Sequence, residues 1–149
     1  MSNLNKGQVN VIRGILSFLN ANKSELGIPN IKFNELSTSK DSMCLATTEG
    51  STPVEAIADV TGTAYRGKLE LNLIYRVMLS RDGAKDLDYI GVVDNILDYL
   101  KKNYKSIEDN FFFIDNITEK SRCTLETVYS GGVKDFKCVF VVNYERSVN

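Results

Sequence analysis

Lys68-Leu69-Glu70-Leu71-Asn72-Leu73-Ile74-Tyr75-Arg76-Val77-Met78-Leu79 decides the fold. Leu69, Leu71, Leu73, Tyr75, Val77 and Leu79 fall on one face of an extended chain. Lys68, Glu70, Asn72 and Arg76 fall on the other, joined by Ile74 and Met78. Side chains of a strand alternate between its two faces, so this period of two predicts a long strand with one face packed on a core. A sheet wet on one side and covered on the other is the usual antiparallel arrangement.

Helices to cover that face are legible on both sides of the strand. Upstream, Ile12, Ile15, Leu16 and Leu19 recur at helical spacing within Gly7–Lys23, and Val11 and Phe18 widen the stripe. Asn20, Asn22 and Gly27 favour ending that helix, and Pro29 discourages its return. Downstream, Ile90, Val93, Leu97, Leu100 and Tyr104 mark a second helix over Lys85–Tyr104. Its acids Asp86, Asp88 and Asp94 come early, and Lys101, Lys102 and Lys105 come late, matching the helix dipole.

The remaining segments read as strands. Ile31–Leu36 alternates roughly, and Met43–Ala46 is a short apolar run. Val54, Ala56, Ala58 and Val60 alternate against Glu55 and Asp59, with Ile57 as an exception. After the second helix come Phe111–Ile117, Ser121–Tyr129 and Phe136–Glu145. Gly131-Gly132 predicts a two-residue hairpin turn. That register sets Glu126 opposite Lys137, Leu125 opposite Cys138 and Cys123 opposite Phe140. The predicted fold is α+β: one domain over residues 1–149, a mostly antiparallel sheet with two helices packed on one face.

Composition narrows the function. The 149 residues suffice for one core, with 43% apolar and 25% charged residues, an ordinary globular balance. A formal net charge of -1 gives no bulk attraction to nucleic acid or an anionic membrane. Neither a signal peptide nor a membrane span is expected. The odd count of three cysteines, Cys44, Cys123 and Cys138, favours reduced thiols in a cytosolic setting. The hairpin register places Cys123 and Cys138 diagonally, which argues against a disulfide.

Candidate chemistry is sparse. The chain has no histidine, which removes Ser-His-Asp and Cys-His catalysis and the commonest zinc ligand. Carboxylate or lysine chemistry stays open. Asp94 and Asp98, four apart, read as a solvated helix face rather than a metal site. Ser130–Lys134 lacks the spacing of a phosphate-binding loop and is followed by a strand. Phe111, Phe112 and Phe113 cannot all point to one face, so at least one leaves the core side. The reading is core packing at a strand end or a subunit interface. Thr61–Lys68 holds Gly62, Gly67, Tyr65, Arg66 and Lys68 between strands. It reads as a hairpin tip or bulge, and equally as a loop that meets a partner through Tyr65, Arg66 and Lys68.

Taken whole, the chain resembles the tail terminator proteins of tailed phages, often labelled tail completion or minor capsid proteins. The likeness runs from Asn10 to Arg146. It rests on the amphipathic helix VNVIRGILSFLNAN leading into IKFNEL, the strand unit ADVTGTAYRGKLELNLIYRV, and the helix VVDNILDYLKKNY followed by strands ending FVVNYERS. Phage-like contractile bacteriocin particles carry such proteins too. The resemblance implies a structural assembly protein without catalytic residues, cofactor or metal. It implies a homo-oligomer, a hexameric ring, that caps the head-proximal end of the tail tube and stops its growth. Its expected partners are the tail tube protein, the sheath and neck, collar or cap proteins, with no membrane and no sequence-specific nucleic acid. The expected location is the bacterial or host-cell cytoplasm during assembly and then the tail of the particle. A head–tail connector is the neighbouring alternative, and a small-molecule-binding or enzymatic α+β domain is the alternative of a different class.

Overall fold

A computed structural model describes residues 4–51, 53–79 and 83–148. Its elements are α1 (Lys6–Ala21), α2 (Lys23–Leu26), β1 (Ile31–Phe33), β2 (Ser42–Thr47), β3 (Val54–Ile57), β4 (Ala64–Val77), α3 (Gly83–Asn103), β5 (Phe112–Val128) and β6 (Lys134–Ser147). The strands form a six-stranded sheet in the order β1-β2-β4-β6-β5. β3 pairs with β4 in line with β2, so the two short strands share one side of β4. All pairings are antiparallel except β1 with β2. The α+β class and the mostly antiparallel sheet are therefore as the sequence predicts.

The alternation in β4 does what its period requires. Leu69, Leu71, Leu73 and Val77 are buried. They lie on the face shared with Phe136, Cys138, Phe140, Val142 and Tyr144 of β6, because Leu71 pairs with Phe140 and Leu73 with Cys138. α1 and α3 close over this face with Val11, Ile15, Leu19, Val93, Ile96, Leu97 and Leu100, making one core. Tyr75 is half-buried beneath α3, edge-on to Tyr89. Phe18 of α1 stacks on Tyr99 of α3 at 5.6 Å, joining the two helices. A capping box starts α1: the Asn5 side chain accepts from the Gln8 N–H, and the Gln8 side chain accepts from the Asn5 N–H. No helix among the described residues is long and apolar enough to cross a membrane.

Several local expectations are corrected. β4 ends at Val77, and Leu79 lies beyond it, 80% exposed. The alternation Val54–Val60 does not signal burial. β3 stops at Ile57, the chain turns at Asp59, and Val54, Ile57 and Val60 are exposed. An edge strand paired on one side keeps its pattern without a core to bury it in. The two strands expected over Phe111–Tyr129 are one, β5, running along the whole of β6. Its register slips at Asp115, at Lys120, at Arg122-Cys123 and at Glu126, and each slip is a β-bulge or irregularity holding a charged residue.

Gly131-Gly132 is not a two-residue turn. Tyr129 donates to the Val133 carbonyl, so Ser130, Gly131 and Gly132 form a three-residue loop, with φ of +79° and +85° at the glycines. With that extra loop residue and the bulge at Glu126, Leu125 faces Phe136 instead of Cys138, and the further slips bring Glu119 opposite Phe140. Lys137 pairs with Thr124, yet its amine still reaches Glu126 at 3.1 Å from the adjacent bulge. The reading of the α3 aspartates is corrected at Asp94, whereas Asp98 stays on a solvated face, its side chain 57% exposed. Asp94 accepts the Cys123 backbone N–H at 2.8 Å, and Arg122 bridges Asp94 and Asp98. That helix face clamps the irregular part of β5.

All three cysteines are free and buried. Burial pushes the Cys44 thiol up to about 11, and the Cys123 and Cys138 thiols up to about 12. Thiolates are the reactive form, so these groups should be inert while the protein is folded. The expected result is slow labelling of native protein and three free thiols per chain after denaturation without reductant. A count of one would reveal a disulfide.

Candidate protein interface

The sheet's second face carries no helix among the described residues. Cross-strand pairs neutralise it instead: Arg76 with Asp135 at 2.8 Å, Arg66 with Glu145 at 3.8 Å, and Lys120 with Glu70. Ile74, Val139 and Val141 sit half-buried among them. The loop between β1 and β2 passes over part of this face, where its Glu35 backbone meets the buried Cys44 thiol.

Both ends of the sheet expose apolar groups. At one end lie Ile57, Val60, Phe111, Phe113 and Val148; toward the other lie Leu79, Leu87, Val128 and Tyr129. Fourteen-residue strands separate the two groups by roughly 40 Å. Phe112 points into the core beneath α1, where a Cβ added to Gly14 would come within 2.7 Å of its ring. Phe111 and Phe113, its neighbours, stand 53% and 44% exposed. The middle ring thus packs in the core and the outer two are exposed, as the strand's alternation requires. Clefts of about 210 and 340 Å³ lie on either side of Phe111.

At the first end the β3–β4 hairpin is rigidly built. Asp59 folds back on its own turn: its carboxylate accepts the Thr63 N–H at 3.0 Å and the hydroxyls of Thr61 and Thr63 at 3.0 and 2.6 Å. These bonds, the Thr63 hydroxyl foremost, lower the Asp59 carboxyl below the ordinary aspartate value. Gly62 takes φ of +70°, a conformation that favours glycine.

The predicted loop is shorter than expected, because β4 already starts at Ala64. Tyr65, Arg66 and Lys68 are strand residues, and alternation splits them. Tyr65 faces the helix side, with the Arg146 guanidinium over its ring at 4.7 Å. Arg66 and Lys68 face the open side, both exposed. Gly67 does not turn the chain. It lies between Glu55 and Tyr144, and a Cβ there would collide with the Tyr144 ring. The missing side chain lets the Tyr144 hydroxyl cross β4 and donate to Glu55 at 2.6 Å.

Glu55 gathers this end of the molecule. Arg146 donates to both of its carboxylate oxygens, at 2.7 and 2.8 Å, and Asn5 of the α1 cap donates at 2.8 Å. Burial raises the Glu55 carboxyl, but the bonds from Arg146, Tyr144 and Asn5 outweigh it and hold the group below its usual value. The Tyr144 phenol is raised, by burial first and then by Glu55. Sequence reasoning passed over this cluster. Glu55 looks like a polar residue on an alternating strand, and its partners lie 89 and 91 residues away.

Among the described residues, no group of three or more His, Cys, Asp or Glu side chains could hold a metal ion. The chain matches no protein-family model and no curated protein.

Proposed function

We propose that the chain is a structural assembly protein that works as a phage tail terminator does: a ring that caps the head-proximal end of a tail tube, stops its growth and docks neck or cap proteins. The observation that carries this reading is the pair of unlike apolar groups at opposite ends of one stiff sheet. A subunit of a closed ring needs two different, mutually complementary surfaces, because each copy meets one neighbour on each side. Exposed aromatic and aliphatic side chains grouped on a folded chain are the usual raw material of such contacts. The open face of the sheet, with its paired charges and half-buried valines, supplies a third surface for the tube.

The direct test is position. A tagged chain should be found by electron microscopy at the head-proximal end of tail tubes. In isolation or released from the tube, six chains of 16.7 kDa should give a particle of about 100 kDa by light scattering. A label elsewhere on the particle, or none, would refute the reading.

Tyr65 braces Arg146, so replacing it would mix stability with assembly. Arg66 and Lys68 are the cleaner pair. An Arg66→Ala, Lys68→Ala double variant is expected to melt within about 1 kcal/mol of the parent, since both sites are exposed and the Arg66–Glu145 contact is a surface pair. In the proposed role it should leave tails of uncontrolled length. Normal folding together with normal tails would remove both residues from the contact.

A further inference from the structure

The edges of the sheet are protected unequally. β5 is guarded along its length by bulges carrying Asp115, Lys120, Arg122 and Glu126. Its first residues are covered by Glu108 and Asp109, which bridge Phe113 and bond the Phe112 backbone. Bulges and charges are the ordinary means of keeping an edge from pairing with another chain. β1 is three residues long and breaks at Asn34, where φ is +54°.

β3 carries neither a bulge nor an outward-facing charge, and its guards are Pro53 just before it and the inward-turned Glu55. Val54–Ile57 is regularly paired along β4 and carries one charge, Glu55, which is turned inward onto Arg146. Val54 and Ile57 are 60% and 62% exposed. The bond from the Ala58 N–H to the Ala64 carbonyl sets the phase of the hairpin. Ala58, Ala56 and Val54 direct their backbone groups at β4, so the N–H and C=O of Glu55 and Ile57 point away from the sheet. The lane they face is in line with β1, which fills it only beside β2.

We propose that this lane receives an extended segment of a partner protein, about four residues long, which adds a strand to β3 and presents carboxylates on the sheet's open face. Charge chooses the partner. On that face Arg66 lies beside Ala56 and Lys68 beside Val54. Lys68 makes no ion pair among the described residues, and Arg66 has only the 3.8 Å contact with Glu145. The nearby acids Glu55 and Asp59 are already engaged; Glu49, exposed in the connection that enters β3 at Val54, makes no ion pair among the described residues. An added strand would lie two spacings, about 10 Å, from the β4 backbone, and long cations leaning over the small Ala56 and Val54 can meet carboxylates there. On the helix side the same segment would cover Ile57 with an apolar residue. This site does not rest on the ring reading and would stand in any assembly.

A short blocked peptide of alternating valine and glutamate serves as the probe, added to isotope-labelled full-length protein. The amides of Glu55 and Ile57 should shift and gain protection from hydrogen exchange. The same peptide with lysine for glutamate should bind roughly tenfold more weakly or not at all. Ile57→Pro removes an outward N–H that β4 does not use and should abolish the response. Should that variant misfold, Lys68→Glu, at an exposed site, should weaken binding roughly tenfold by itself. Three results would overturn the proposal: shifts that miss Glu55 and Ile57, equal binding of the lysine peptide, or no response at millimolar peptide. Concentration-dependent protection of these amides without peptide would assign the lane to a second copy and overturn the choice of partner.

Discussion

Replacing Glu55 by alanine is expected to destabilise the fold by about 3–5 kcal/mol, the range for removing one partner of a buried ion pair. Glu55 and Arg146 have side chains only 11% and 13% exposed. Without the carboxylate, a nearly buried guanidinium loses both of its bonds to that group, and the Tyr144 hydroxyl and the Asn5 amide each lose an acceptor. The damage would reach three elements together, because Glu55 ties β3 to the end of β6 and to the start of α1. Denaturant melting of Glu55→Ala against the parent measures it, and Glu55→Gln should lose less, since an amide oxygen still accepts from Tyr144. A loss below about 1 kcal/mol would mean that Arg146 finds water or another acceptor.

The same carboxylate predicts a pH dependence of definite sign. Its folded-state value lies below the ordinary glutamate value of 4.5, so the unfolded chain binds the proton more readily. The stabilisation from Glu55 is therefore complete above the unfolded value and is lost as pH falls through the folded one. Stability of the parent should drop more steeply below about pH 4.5 than stability of Glu55→Ala, so the gap between the two curves should narrow in acid. Parallel curves would show that the group titrates alike folded and unfolded.

Leu73→Ala should cost about 2–5 kcal/mol. Leu73 is fully buried, flanked by Leu45 on β2 and Cys138 on β6. Both flanking strands are fixed by their own pairings, so the cavity has little means of collapsing. Ile74, one residue along and on the open face, is the internal control. Its replacement by alanine should cost about 1 kcal/mol. Equal losses at the two positions would contradict the assignment of faces.

What the sequence makes legible follows from where the determining contacts lie. β4 and α3 can be read from their own residues, since periodicity is local and the core they face is large. β3 misleads for the same reason: alternation records a pleat and does not say whether anything covers it. Gly67 reads as a turn residue because its reason for being glycine, the passage of Tyr144, comes from another strand. Asp94 and Asp98 look like a wet helix face until Arg122 and the Cys123 amide arrive from β5. The hairpin register follows from one extra loop residue and from the bulges along β5, none of which a Gly-Gly pair reveals. Tyr65, Arg66 and Lys68 were legible as a group only by proximity in sequence, and the strand's alternation puts the first on the side opposite to the other two.

The order of strands in the sheet bears on how the chain is made. β6 follows the five other strands of the sheet in sequence, yet it sits between β4 and β5 and pairs with both. Until its residues leave the ribosome, the leucine face of β4 and the length of β5 have no common partner. Long-range pairing of this kind is slow, because the loop must close before any contact rewards it. From the emergence of β4 until that of β6, the nascent chain consequently carries an unfinished sheet with an apolar face, a state open to aggregation and to chaperones. Closure of the sheet waits on β6, and a chain that stopped before Lys134 would lack the central seam of the sheet.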